Sequence, residues 1–157
     1  MTAHDPDDHE LNRAVRSSFG QVLLRAARLV DHRALAYIRD QPGAPDIRPA
    51  HTRLFPFIPF AGGIRATSIA SELGVTKQAI SPLVQDLVTW GLVEQVPDPG
   101  DGRARLLRWT ARGRQHILTG LDVLGRVEAP WRAEVGEEVA ATVHRALDVL
   151  VALLEQD

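Results

Sequence analysis

The sequence has no cysteine among its 157 residues, and aromatic residues make up only 5% of it. The lack of cysteine excludes disulfide bonds, thiolate zinc sites, iron–sulfur clusters and thiol-based redox switches. The scarcity of aromatics, together with long runs rich in Ala, Leu, Val, Arg and Glu, favours helices. Hydrophobic residues account for 45% of the chain, which is typical of a globular protein.

Segments that would carry the chain into or across a membrane are also missing. No apolar run approaches the roughly 18 residues that a spanning helix needs. Residues 1–10 are acidic and polar, whereas a signal peptide would be basic and then apolar. We therefore expect a cytoplasmic protein without a membrane partner.

The motifs of common enzyme classes are absent as well. The chain has no G-x-S-x-G nucleophile elbow, no phosphate-binding loop and no H-E-x-x-H zinc motif. Its histidines have no Asp or Ser partners at a catalytic spacing. We therefore predict no catalytic residues, no metal site and no cofactor, and an enzyme is the least favoured class of function.

Positive charge is scarce overall but concentrated in one segment. The formal net charge is −2, and Lys77 is the only lysine. Residues 97–114 nevertheless contain five arginines and two aspartates, a local balance of +3. A patch of this size attracts phosphate groups within a Debye length of about 8–10 Å.

Helical periodicity predicts long helices at both ends of the chain. After a disordered tail over residues 1–7, we expect one helix of about 30 residues from Asp8 to Arg39, followed by a Pro- and Gly-rich linker. Residues 114–157 should form two more helices, interrupted at Pro130 or Gly136. Such lengths exceed the needs of a small domain, so residues 8–45 and 114–157 are predicted to pack on a second copy of the chain.

Residues 46–113 have the pattern of a DNA-binding unit. Pro49 suits the first position of a short helix, and Ile64 and Arg65 suggest a very short strand. Thr67 is the expected N-cap of a helix that Gly74 closes, and Thr76 is the expected N-cap of a second helix that ends at Gly91. Two helices joined by such a turn are typical of a helix-turn-helix.

The second of these helices has a polar outer face. If Ile80 points to the core, the outward positions are Gln78, Ser81, Pro82, Gln85 and Thr89. We predict that Gln78 pairs with adenine in the major groove, with Gln85 on the same face. Thr76, Lys77 and Ser81 should hold phosphates at the helix N-terminus. The alternative is an ordinary solvated helix face.

A basic hairpin follows. Strands are predicted at Leu92–Val96 and Leu106–Trp109, joined by a loop over Pro97–Gly102. Arg103 at the hairpin tip could enter a narrow minor groove, where negative potential is concentrated. We expect Asp101 to orient the Arg103 guanidinium, and Arg105 to meet phosphate.

Residues 67–113, TSIASELGVTKQAISPLVQDLVTWGLVEQVPDPGDGRARLLRWTARG, resemble the winged helix-turn-helix of the MarR family of transcriptional regulators. Asp98, Asp101 and Arg103 match the wing motif of that family. The segment LRWTARG matches its exit from the last strand into the following helix. RPAHTRLF and the flanking helices are similar more loosely, so the resemblance extends to the layout of the whole chain.

The resemblance implies a mainly α fold with a small β-hairpin, in which N- and C-terminal helices dimerise around the winged helix-turn-helix. It implies a homodimer that binds double-stranded DNA and represses transcription. A two-fold dimer would hold its recognition helices about 34 Å apart and favour a palindromic operator. Without specific DNA binding, the same fold could instead serve as a protein–protein interaction module.

Family resemblance also implies release from DNA by a small aromatic or phenolic effector, bound between the dimerisation helices and the winged unit. The candidate ligand-binding residues are Arg16, Phe19, Tyr37, His51 and Phe55. The aromatic cluster that includes Phe55 has two interpretations. It is either core packing or one wall of this pocket.

Two residues depart from the family pattern. Pro82 occupies a recognition-helix position that is usually polar or basic, and it removes the amide that would bond to the Gln78 carbonyl. A kink or a shortened helix with altered specificity is therefore predicted. Gly102 replaces a common wing arginine, which would remove one phosphate contact from each subunit.

Overall fold

The computed structural model describes residues 7–156. Within that range the chain is mainly helical, with one small antiparallel sheet, as predicted. Its elements in order are α1 (Asp8–Ser17), α2 (Phe19–Arg39), α3 (Pro49–Thr52), a 3₁₀ turn (Phe55–Phe57), β1 (Ile64–Arg65), α4 (Ala66–Glu72), α5 (Lys77–Thr89), β2 (Val93–Asp98), β3 (Asp101–Trp109), α6 (Ala111–Val135) and α7 (Glu137–Leu154).

The first helical region is divided, which corrects the prediction of one helix from Asp8 to Arg39. Ser18 adopts an extended conformation (φ −73°, ψ 115°), and its hydroxyl accepts from the amide of Gln21. Ser18 therefore caps a new helix, because its side chain offers the backbone an alternative to continued helix. Of the expected tail, residues 1–6 lie outside the described range, and Asp7 is the N-cap of α1.

Pro49 is the first residue of α3, as expected, and this helix is only four residues long. The chain continues into the 3₁₀ turn, which contains Pro56. Short elements are the expected result here, because proline cannot supply the amide that the next helical turn requires.

The start of α4 differs from the prediction. Its N-cap is Arg65, so Thr67 lies inside the first turn instead of capping it. The reason is that Ile64 and Arg65 pair with Leu107 and Leu106 of β3, and the helix begins directly after this pairing. Gly74, with φ +65°, ends the helix as predicted.

Helix α5 runs without interruption from Lys77 to Thr89 although Pro82 lies inside it. The predicted shortening is therefore wrong, whereas a kink at Pro82 stays a prediction. Only the bond to the Gln78 carbonyl is lost, and burial of Ile80 and Val84 on either side holds the helix to the core.

The sheet has the order β1-β3-β2, with both pairings antiparallel. Strands β2 and β3 extend further than predicted, so Pro97, Asp98, Asp101 and Gly102 lie in strands and the hairpin turn is Pro99–Gly100. The register is irregular near the turn. Pro97 faces Arg105 and Asp98 faces Asp101, which leaves residues 102–104 without a partner on β2. These three residues form a bulge in the wing, which we define as β2, β3 and their turn.

In the described part of the chain, two hydrophobic cores hold the elements together. The larger lies under the helix-turn-helix and the sheet, and its buried residues are Leu35, Ile47, Leu54, Ile58, Ile69, Ala70, Ile80, Val84, Leu87, Leu92, Val93, Leu107 and Trp109. The smaller core joins α2 to α6 through Ala34, Ile38 and Val123. The indole N–H of Trp109 donates to the Ile58 carbonyl at 2.9 Å, which satisfies the one polar atom of this buried ring.

The C-terminal helices have the predicted boundary. Thr110 caps α6 by accepting from the amide of Gly113, and Gly136, with φ +82°, separates α6 from α7. Pro130 lies inside α6, so the break falls at Gly136 alone. None of the helices within residues 7–156 is long and apolar enough to cross a membrane.

Candidate nucleic-acid interface

The exposed face of α5 carries the polar side chains that its periodicity predicted. Gln78, Ser81, Pro82, Gln85 and Thr89 are all exposed, while Ile80, Val84 and Leu87 on the opposite face are buried. Gln78 follows Lys77 in the first helical turn, where unpaired backbone amides and the helix dipole favour a negative partner.

The two hydroxyl groups near this helix end have different hydrogen-bonding roles. The Thr76 oxygen accepts from the amide of Ala79 at 3.2 Å, so its proton can still be donated to a phosphate. The Ser81 hydroxyl donates to the Lys77 carbonyl at 2.8 Å. Ser81 would have to break that bond before it could donate to DNA, and Thr76 is therefore the better phosphate ligand of the two.

An open groove of about 520 Å³ separates α5 from the wing. Six of the predicted DNA-binding residues line it, namely Lys77, Ser81, Gln85, Asp101, Arg103 and Arg105. Thr76 and Gln78 lie outside this lining, at the exposed N-terminal end of α5. The fold therefore places most of the predicted residues around one concave, largely basic surface.

Arg65 is a residue of this groove that sequence reasoning missed. Its Nε–H donates to Asp98 Oδ2 at 2.7 Å, and its Nη1 lies 3.6 Å from Asp101 Oδ2. Because β3 lies between β1 and β2, this side chain connects the ends of all three strands. Only its place at the end of a predicted strand hinted at this role.

Asp98 is held in its charged form. The amide of Gly100 donates to Asp98 Oδ1 at 2.8 Å, and this bond, followed by the one from Arg65, lowers the pKa of the Asp98 carboxyl from its ordinary value. The ion pair that anchors the wing is therefore fully formed at neutral pH.

Arg103 is not at the hairpin tip, which corrects the prediction. It lies in the bulge of β3, and Asp101 Oδ1 accepts from its backbone amide at 3.1 Å. The Asp101 carboxylate faces Arg65 and does not orient the Arg103 guanidinium. Within residues 7–156, neither Arg103 nor Arg105 forms an ion pair, and both are exposed. Their charges are therefore available to an anionic partner.

His51, a predicted ligand-binding residue, has a structural role instead. Its imidazole is completely buried, Nδ1 accepts from the amide of Arg48 at 3.0 Å, and Nε2 lies 3.1 Å from Asp86 Oδ2. This pattern requires the neutral tautomer with hydrogen on Nε2. Since Asp86 belongs to α5, His51 joins α3 to the recognition helix.

The other four predicted ligand-binding residues do not come together. Arg16, Phe19 and Tyr37 are exposed on α1 and α2, with Phe19 65% exposed. Phe55 is half-buried, and its ring meets Trp109 edge-on with centroids 5.3 Å apart. Phe55 thus contributes to core packing, and it also lines a separate cavity of about 330 Å³ between α2, α6 and Pro56.

His116 is a lining residue of that cavity that was not predicted. Partial burial, and secondarily the charge of Arg112, lowers the pKa of its imidazole. The side chain is therefore neutral at physiological pH. Within residues 7–156, the cavity wall otherwise consists mostly of apolar residues, many of them from α2 and α6, and contains no Lys or Arg.

Comparison with known proteins finds similarity to transcriptional regulators. The sequence profile of the MarR family matches residues 46–104. The HTH-type transcriptional regulator PetP of Rhodobacter capsulatus is 38% identical over 108 residues, which are 68% of this chain and 64% of PetP. The match thus spans less than two thirds of that relative's length.

Solved structures extend the similarity over most of the fold. The transcriptional regulator Tm0710 of Thermotoga maritima is 25% identical with a TM-score of 0.65, over 88% of this chain and 94% of its own. The transcriptional repressor CouR bound to a 23-mer DNA duplex is 20% identical with a TM-score of 0.62, over 94% of this chain and 99% of its own. CouR from Rhodococcus jostii RHA1 bound to p-coumaroyl-CoA is 19% identical with a TM-score of 0.62, over 87% of this chain and 93% of its own.

Proposed function

Since this chain belongs to the MarR family of winged-helix transcriptional regulators, we propose that it represses transcription as a homodimer bound to a palindromic operator in double-stranded DNA. The observation that carries this proposal is the groove between α5 and the wing, where Lys77, Arg103 and Arg105 present charge beside the polar face of α5. The DNA complex of CouR, a repressor of the same fold, supports it.

The two sides of the groove, α5 and the wing, could contact the major groove and the minor groove of one duplex at the same time. The exposed amides of Gln78 and Gln85 have the donor and acceptor pair that matches adenine in the major groove. Arg103 and Arg105 on the wing can approach the minor groove and the phosphates that flank it. Arg65 would hold the wing at a fixed distance from α5 through its bonds to Asp98 and Asp101.

Apolar surface outside the winged unit supports the homodimer. Large hydrophobic side chains are exposed along both ends of the chain, including Leu11, Val15, Phe19, Val22, Leu118, Leu121, Val139, Val143, Leu153 and Leu154. Exposed apolar side chains concentrated on the terminal helices are typical of a subunit interface. Two-fold pairing would present two recognition helices about one DNA turn apart, near 34 Å.

We further propose that the cavity between α2 and α6 receives a small aromatic effector that weakens DNA binding. Its volume of about 330 Å³ lies within the range of small-molecule sites. Its described lining residues include Asp31 and neither Lys nor Arg, and the pKa of the His116 imidazole is lowered, so the chemistry favours a phenolic compound over an aromatic carboxylate. Release would require the ligand to prefer a dimer whose recognition helices are wrongly spaced.

Salt dependence tests the proposed DNA binding against the protein–protein alternative. An operator is first selected from random duplexes with the full-length protein, and affinity is then measured by fluorescence anisotropy between 50 and 200 mM salt. A dimer that contacts six or more phosphates should lose about a thousandfold or more in affinity over this range. An isolated half-site that binds as tightly as the full operator would contradict the dimer.

Two substitutions distinguish the contribution of base recognition to DNA affinity from the contribution of positive charge. Gln78→Ala should relax the preference at one position per half-site, at a cost of about tenfold or more in affinity, whereas Arg103→Ala should weaken binding to all sequences. Arg126→Ala, on α6 and outside the groove, is the charge-matched control for Arg103. The proposal is wrong if Gln78→Ala and Arg103→Ala both leave operator affinity unchanged.

A further inference from the structure

Pro82 occupies the exposed face of the recognition helix at a position where packing gives no reason for a proline. It follows Gln78 by one helical turn and precedes Gln85 on the same face. It belongs to neither of the two hydrophobic cores. Its ring therefore projects into the space that a DNA base edge would fill in the proposed complex.

The energetic cost of this residue is considerable. A proline inside a helix removes one backbone hydrogen bond and brings its ring against the carbonyl of the residue four positions earlier, here Gln78. Pro82 is exposed and lies outside both hydrophobic cores, so packing within the protomer does little to offset this cost. Natural proteins concentrate such departures from local preference at functional positions, so the ring is best explained by a contact with a partner.

A proline side chain offers methylene groups and neither a donor nor an acceptor. Among the groups that bases present in the major groove, only the C5-methyl of thymine is apolar. We propose that Pro82 contacts a thymine methyl group and thereby makes the protein prefer thymine at one position of each half-site. This inference rests on the proposed function and adds a base preference to it.

Helix geometry indicates where that thymine should lie. Pro82 is four positions after Gln78, which corresponds to about 6 Å along the helix axis. Base pairs are spaced by about 3.4 Å, so the two side chains reach positions no more than about two base pairs apart. If Gln78 pairs with adenine, the operator should have a thymine within about two base pairs of that adenine.

Deoxyuridine substitution tests the contact directly, because deoxyuridine lacks only the methyl group of thymine. The operator selected with the full-length protein is compared with copies in which single thymines are replaced. In each half-site, one thymine should be sensitive. Replacing that single thymine should weaken binding about fourfold, the value expected for loss of one buried methyl-sized group. All other replacements should change affinity less.

Pro82→Ala is the decisive variant. Alanine restores the missing amide and is the best helix former, so the variant should fold with equal or greater stability. It should bind the thymine and deoxyuridine operators with a difference well below fourfold, because the alanine side chain ends at Cβ and lacks the ring methylenes that would reach the thymine methyl group. Two control variants should keep the wild-type fourfold difference. Pro130→Ala changes another helix-interior proline, in α6, and Thr89→Ser removes a threonine methyl group on the same face of α5 as Pro82.

Three results would overturn the inference. The wild-type protein could bind every deoxyuridine operator as tightly as the parent, Pro82→Ala could keep the fourfold difference, or the selected operators could lack thymine near the adenine. If selection enriches no sequence at all, the proposed function itself fails and the inference falls with it. The outcomes of the two proposals are thus distinguishable.

Discussion

Arg65 and Asp98, 33 residues apart in sequence, are joined by a hydrogen bond of 2.7 Å from Nε to Oδ2. The bond connects the last residue of β1 to the last residue of β2 across the intervening strand β3. Because β1 leads directly into α4, the bond links the end of the wing to the strand that precedes the helix-turn-helix. We therefore expect this ion pair to control the width of the proposed DNA groove.

Asp98→Asn should lower operator affinity by about fivefold, which corresponds to the loss of one surface ion pair. A decrease in affinity would distinguish positioning of the wing from a simple effect of charge. The substitution removes negative charge, so charge alone would strengthen phosphate binding. Glu94→Gln is the matched control. It makes the same change of charge on the same wing and releases Arg108, not Arg65. If both variants bind DNA more tightly than the wild type, Arg65 does not position the wing.

The stability contributed by Asp98 should depend on pH in the acidic range. The pKa of this carboxyl is lower in the folded protein than the ordinary aspartate value of about 3.9. Its stabilisation is therefore complete above that value and is lost as pH falls through the folded-state pKa. In urea unfolding from pH 5 downward, the difference in free energy between wild type and Asp98→Asn should shrink steadily. A difference that grows on acidification would contradict this assignment.

His51→Ala should reduce the free energy of unfolding by about 2–4 kcal/mol, because it leaves a cavity and removes the acceptor for the Arg48 amide. His51→Asn can replace the Nδ1 acceptor but is too short to reach Asp86, so it should recover part of this loss. Urea denaturation measures both. If the Asn variant is as unstable as the Ala variant, the bond to the Arg48 amide contributes nothing measurable.

Gly113→Ala should be strongly destabilising, because a Cβ there would lie 1.9 Å from the Leu92 carbonyl oxygen. Relieving such a clash against backbone costs about 1–3 kcal/mol or more. Gly125→Ala in the same helix is the control. A Cβ at Gly125 meets nothing within 4 Å, and replacing a helical glycine should add about 0.5–1 kcal/mol. Thermal melts of both variants test the contrast, and a stable Gly113→Ala would show that α6 can shift away from Leu92.

Most elements of the winged unit could be predicted because their signals are local. Thr76 and Thr110 cap their helices by bonding to amides three residues ahead. Gly74 and Gly91 end helices in conformations with positive φ. Each of these features depends on a few neighbouring residues, so a short stretch of sequence is enough to predict it.

Errors of prediction arose where the hydrophobic pattern and a local signal disagreed. Apolar periodicity continues through Ser18, but the serine hydroxyl captures the Gln21 amide and starts a new helix. Thr67 has the chemistry of an N-cap, yet pairing of Arg65 with β3 starts the helix earlier. The cap at Ser18 is a local signal that the apolar periodicity masked, whereas the pairing of Arg65 with β3 became visible only in the tertiary structure.

Sequence alone determined the helix-turn-helix, the basic wing and the polar face of α5, because periodicity and capping act over one or two helical turns. The tertiary structure decided the rest. The bulge that displaces Arg103 depends on strand register. The contacts of Arg65 with Asp98 and of His51 with Asp86 join residues more than 30 positions apart. Such pairs form only when distant elements pack together, and no local preference specifies which distant side chains will meet.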